Sequence, residues 1–112
     1  MPTTIYVTNN RQQEVVQRRL LKGEAETFNL DFSGYGDITA VTWTVESGEA
    51  ALSNTSLDTS TDIATAVITV AQEGVSLIKA LATSGNNKIA KYIRIRAEEP
   101  ELYQSDYGFL RV

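Results

Sequence analysis

A chain of 112 residues with 42% hydrophobic and 21% charged side chains has the make-up of one globular domain and argues against wholesale disorder. It holds no cysteine and no histidine, which removes disulfides, thiol nucleophiles, Ser-His-Asp and Cys-His catalysis, and the common zinc sites. The net charge of −4 opposes generic binding of nucleic acid, which needs a basic surface, and no apolar run approaches the ~18 residues of a membrane span.

The opening stretch Met1-Pro2-Thr3-Thr4-Ile5-Tyr6 lacks the basic and apolar regions of a signal peptide, so synthesis in a cytoplasm is expected. Thr3 to Thr8 has strand composition, and Asn9-Asn10 reads as a turn. Arg11 to Leu21 admits a helix, with Val16 and Leu20 four apart, or an edge strand leading into Gly23. The strand is preferred, because a sandwich needs a strand ahead of the phenylalanines that follow.

Period-two alternation then runs from residue 24 to residue 96. Phe28, Leu30 and Phe32 share one face of the first strand, and Ser33-Gly34-Tyr35-Gly36-Asp37 turns the chain. Ile38 to Val45 follows, with Val41, Trp43 and Val45 on one side and Thr42 and Thr44 on the other. Residues 50–62 form a polar stretch with room for one short edge strand. Ile63 to Val70 points Ala64, Ala66, Ile68 and Val70 one way. In Val75 to Thr83 the set Ile78, Ala80, Ala82 is preferred as inward, since Leu77 and Leu81 share a face with Lys79. Ser84-Gly85-Asn86-Asn87 is a hairpin signal, and Lys88 to Arg96 turns Ile89, Ile93 and Ile95 inward and Tyr92, Arg94 and Arg96 outward. Strands punctuated this way predict an all-β, antiparallel, immunoglobulin-like sandwich of about seven strands with extended termini. The expected division is 1–22 as an N-terminal strand or arm, 23–97 as the sandwich and 98–112 as a C-terminal docking arm.

Trp43 is expected at the centre of the core, where burying its ring removes ~150–250 Å² from water. The core set is Phe28, Leu30, Phe32, Val41, Trp43, Val45, Ile68, Val70, Ile93 and Ile95. Charge is segregated along the chain. Residues 23–78 carry nine acids and no Lys or Arg, while residues 79–96 carry Lys79, Lys88, Lys91, Arg94 and Arg96 and no acid. Pairing between acidic and basic strands within one sheet is the preferred reading. The sharper one is an acidic and a basic surface that favour head-to-tail contact between copies.

No catalytic, cofactor-binding or metal-binding residue is expected. Asp58 and Asp62 lie in an oxygen-rich loop without the further ligands of a calcium loop. Glu98, Glu99 and Glu101 lie in a segment unsuited to fixing the geometry of paired carboxylates. Gly34-Tyr35-Gly36-Asp37 precedes no helix, so it is no phosphate loop. In the tail, Tyr103, Tyr107, Phe109 and Leu110 are the expected protein interface, since aromatic side chains are enriched at interface cores; the alternative is a tail folded back on its own sandwich.

The run Phe28-x-Leu30-x-Phe32, then Gly36-Asp37-Ile38, then Thr42-Trp43-Thr44-Val45 resembles the small immunoglobulin-like virion proteins of tailed bacteriophages, those of fibre–tail adaptor type above all. The resemblance spans roughly residues 24–96. It implies a non-enzymatic structural protein made in the bacterial host cytoplasm and built into a virion. It further implies contacts with other virion proteins of tail, fibre, neck or capsid, and homo-oligomerisation, with no nucleic acid, membrane or cofactor involved. The alternatives are a capsid decoration protein, or a carbohydrate- or cell-surface-binding module with Tyr35, Trp43 and Tyr92 as its exposed aromatics.

Overall fold

The computed structural model describes residues 3–6 and 15–99. They form eight strands: β1 (Thr3–Tyr6), β2 (Val15–Leu21), β3 (Ala25–Asp31), β4 (Ile38–Ser47), β5 (Ala51–Asp58), β6 (Ile63–Thr69), β7 (Gly74–Ser84) and β8 (Asn87–Glu98). No helix occurs among the described residues. The strands divide into two four-stranded sheets, in the orders β1-β3-β6-β5 and β2-β8-β7-β4. The fold class is therefore the expected all-β, immunoglobulin-like sandwich.

The expected purely antiparallel pairing needs correction. β1 runs parallel to β3, and β2 runs parallel to β8, so both sheets are mixed. Each parallel strand lies at a sheet edge, where one neighbour suffices. The N-terminal segment thus lends one edge strand to each layer, and the expected boundary at residue 22 does not set it apart from the sandwich. Of the two readings for residues 11–21, the edge strand is the one found, over Val15–Leu21. The polar stretch after residue 50 forms β5, an edge strand of the first sheet.

Alternation places the core where the two inner faces meet. β3 turns Phe28 and Leu30 inward beside Ala66 and Ala64 of β6, a large side chain against a small one at each step. Ile68, Val70, Ile93 and Ile95 are buried with them, as are Phe32, Ile78, Ala80 and Ala82. Burial of this kind contributes ~25 cal/mol per Å² of apolar surface and holds a domain that has no disulfide. Lys91 follows the same alternation, and it too is buried on the inner face of β8.

Two corners fix how the strands turn. β7 and β8 meet through Gly85 and Asn86, with Ser84 opposite Asn87 and Gly85 at φ +60°, the left-handed geometry that a two-residue hairpin needs. Between β4 and β5, Gly48 at φ +93° passes so close to β7 that a Cβ there would sit 2.5 Å from the Val75 carbonyl oxygen. The Ser76 Oγ, buried beneath this corner, accepts a hydrogen bond from the Ala50 amide at 3.1 Å.

Candidate functional site: a basic sheet face

Trp43 does not stand at the centre of the core. Its register partner is Ala80, so it faces inward, but β4 is an edge strand and the ring is half-buried against the margin of the core. Val41 and Val45 share that marginal position. The physical reason is that an edge strand has no neighbour on one side to seal its large side chains. The indole Nε1 is shielded from solvent and has no hydrogen-bond partner among the described residues. Tyr92 lies on the opposite, outer face of the same sheet, so it and Trp43 do not line one groove. Tyr35, in the loop before β4, packs on the core. Tyr103, Tyr107, Phe109 and Leu110 lie outside the described residues, and so does most of the expected docking arm. Glu98 belongs to β8 rather than to an arm, since it pairs with Leu21 of β2.

The outer faces of the two sheets differ in chemistry. On the first sheet, Thr27, Asn29, Thr65, Val67 and Thr69 alternate outward, and the Thr65 hydroxyl donates to the Asn29 side-chain oxygen at 2.8 Å. On the second, the β2–β8 register sets Gln17 beside Arg94 and Arg19 beside Arg96, while Lys79 of β7 pairs with Tyr92. Gln17, Arg19, Arg94 and Arg96 of this face, with Arg18 of the same edge strand, line a groove of about 540 Å³. Val15, Leu21 and Val75, on the same face by register, are exposed. Like charges directly opposite each other destabilise a sheet. Here Glu98 relieves one such contact, accepting from Arg19 at 2.5 Å and from Arg96 at 3.3 Å. Arg94 and Lys79 have no ion pair among the described residues.

One ion pair joins the two sheets. The Arg18 guanidinium donates from Nε and Nη2 to both Glu26 carboxylate oxygens, at 3.1 and 2.9 Å, and the Thr3 hydroxyl donates to Glu26 as well. Burial pushes the Glu26 carboxyl up. The bonds from Arg18 and Thr3 and the guanidinium charge outweigh it, so the group is held below its usual value. This is the one ion pair formed by the acidic block 23–78 among the described residues, and it crosses between layers rather than along one sheet. The expected pairing of that acidic block with basic strands inside one sheet is not seen in the ion pairs among the described residues.

The described aspartates gather at one end of the sandwich. Asp31 and Asp58 both pair with Ile63, and the Asp62 carbonyl accepts from the Phe32 amide at 2.9 Å. Asp62 also accepts from the Ile38 amide through Oδ1 at 3.1 Å, beside exposed Asp37. Asp58 accepts from the Ser60 side chain and amide, which hold its carboxyl below the usual range. The Asp31, Asp58 and Asp62 carboxylates cap turns. No group of three acidic side chains converges as a metal site among the described residues. The charge segregation was legible in the sequence, whereas the Arg19–Arg94–Arg96 cluster was not, because only the parallel β2–β8 register joins its two segments.

No protein-family model matches the chain, and no curated protein matches it. Solved structures do. The chain is similar to the cysteine protease inhibitor EhICP2 from Entamoeba histolytica, at 10% identity and TM-score 0.54, over 86% of this chain and 96% of that one. It is similar to PbICP-C, solved in complex with falcipain-2, at 14% identity and TM-score 0.58, over 86% and 99%. The titin M3 domain is similar at 14% identity and TM-score 0.54, over 80% and 94%. At these identities the likeness is one of fold, the immunoglobulin-like sandwich that the register already describes.

Proposed function

We propose that this chain is a non-enzymatic structural protein of a tailed-phage particle, an immunoglobulin-like adaptor of the tail/fibre or neck assembly that works through protein–protein contacts. The observation that carries the contact reading is the outer face of the β2-β8-β7-β4 sheet. There Arg94 and Lys79 stand without carboxylates among the described residues, beside exposed Val15, Leu21 and Val75. Guanidinium groups with a few apolar neighbours suit a protein partner better than a small substrate. The absence of His and Cys supports a role without chemistry. The virion assignment draws on the Phe28-x-Leu30-x-Phe32 and Thr42-Trp43-Thr44-Val45 runs. The segment after residue 99, with Tyr103, Tyr107, Phe109 and Leu110, serves in this reading as the docking arm.

The test is quantitative mass spectrometry of tailed particles purified from cells that make the full chain or a version ending at residue 99. The full chain is expected in fixed copy number per particle, and the shortened one is expected to fold and to be depleted. Particles that lack the full chain overturn the virion reading; equal incorporation of both versions overturns the arm.

A further inference from the structure

The described part of the chain carries unmatched charge of both signs on separate surfaces. Of the nine acids in residues 23–78, Glu26 alone has an ion pair there. On the basic sheet face, Arg19 and Arg96 share the single carboxylate of Glu98, and Arg94 and Lys79 have none. Among the described residues the two excesses lie on separate surfaces. The cations project from the outer face of a sheet, and Asp31, Asp37, Asp58 and Asp62 sit in the loops and strand ends at one end of the sandwich. Lys88 lies near that end, and its Nζ is 3.1 Å from the Thr83 hydroxyl.

We infer that the basic outer face of the β2-β8-β7-β4 sheet receives the aspartate-lined end of a second copy of this chain. Charge complementarity selects the occupant, since the carboxylates that the face lacks are present on the molecule itself, without ion pairs among the described residues. The contact is head-to-tail. Repeated from copy to copy it builds a ring if the rotation closes and a chain if it does not. Charged surfaces of this sort set register and encounter rate more than raw strength, so the association depends on salt. The inference rests on the protein-contact reading above and names the partner for that face.

Sedimentation velocity of the full chain tests it, over a range of concentration, in about 0.1 M salt and in about 1 M salt, where the Debye length shortens from about 10 to about 3 Å. The mean mass is expected to rise with concentration in the first buffer and to stay near the monomer in the second. Two variants, each checked for folding by circular dichroism, separate the surfaces. One is Lys79→Glu with Arg94→Glu, which leaves every observed ion pair in place. The other carries Asn at positions 31, 37, 58 and 62, which keeps the capping oxygens of residues 31, 58 and 62 and removes the charge. Each alone is expected to weaken association at least about tenfold. An equimolar mixture is expected to form a dimer, because each variant keeps the surface that the other has lost. A native chain that is monomeric in both buffers overturns the inference, even if mass spectrometry counts it in particles. So does association indifferent to salt, or association that survives both variants and disappears on truncation at residue 99.

Discussion

Across the outer face of the first sheet, Thr27 meets Val67 and Asn29 meets Thr65; across the second, Arg94 meets Leu77 and Arg96 meets Val75. The inner faces of these sheets are alike, with Phe28, Leu30 and Ile68 from one packing on Ile78, Ile93 and Ile95 from the other. Since both layers bury the same kind of surface, folding does not require their outer faces to differ. Threonine satisfies a strand at no electrostatic cost, whereas facing guanidiniums raise the energy of the sheet. Charge concentrated on one face, and absent from the middle of the other, is the difference on which the proposed contact rests.

The first way to break this comparison is to attack what the two sheets share. Phe28→Ala is expected to cost about 3–5 kcal/mol, read as a chemical-denaturation midpoint, because the ring is fully buried on a central strand. Trp43→Phe is expected to stay within about 1 kcal/mol of the native chain. The area lost from a half-buried indole is offset by removing a shielded donor that costs about 1–3 kcal/mol when unsatisfied. A loss as large as that of Phe28→Ala would restore Trp43 to the centre of the core.

Next in size is Gly48→Ala, expected to cost about 2–4 kcal/mol in thermal or chemical melts, from a left-handed backbone and a Cβ forced onto the Ser76 and Val75 backbone. The inter-sheet bridge gives a smaller effect with a defined sign. Glu26 has a lowered folded value, so its contribution is complete above the ordinary carboxylate range and is lost as pH falls through the folded value. Glu26→Gln should remove that acid limb from the stability profile, about 1 kcal/mol with a partner as exposed as Arg18. Smallest of all, Lys79→Glu with Arg94→Glu should change stability by less than about 0.5 kcal/mol. Thr65→Arg, on the other face, should leave association unaltered.

Much of the interior was readable from spacing alone. Phe28, Leu30 and Phe32, and the choice of Ile78, Ala80 and Ala82 over Leu77 and Leu81, follow from a period of two and the cost of turning Lys79 inward. The same reasoning left Lys91 out of the inner face of β8, where it is buried, since a strand's alternation is geometric and carries a lysine inward with its neighbours. Trp43 shows a second limit. Its face was readable, but whether β4 has a partner on both sides depends on strand order, which is a property of the whole sheet. The basic cluster was hidden for a related reason, because β2 and β8 are far apart in sequence and join in parallel.

The most direct test of the account is to follow backbone amide chemical shifts by NMR as the full chain is concentrated in about 0.1 M salt. The account predicts shifts confined to the strands around Arg19, Lys79, Arg94 and Arg96 and to the loops around Asp37, Asp58 and Asp62. Shifts centred instead on Thr27, Thr65 and Thr69 would contradict it.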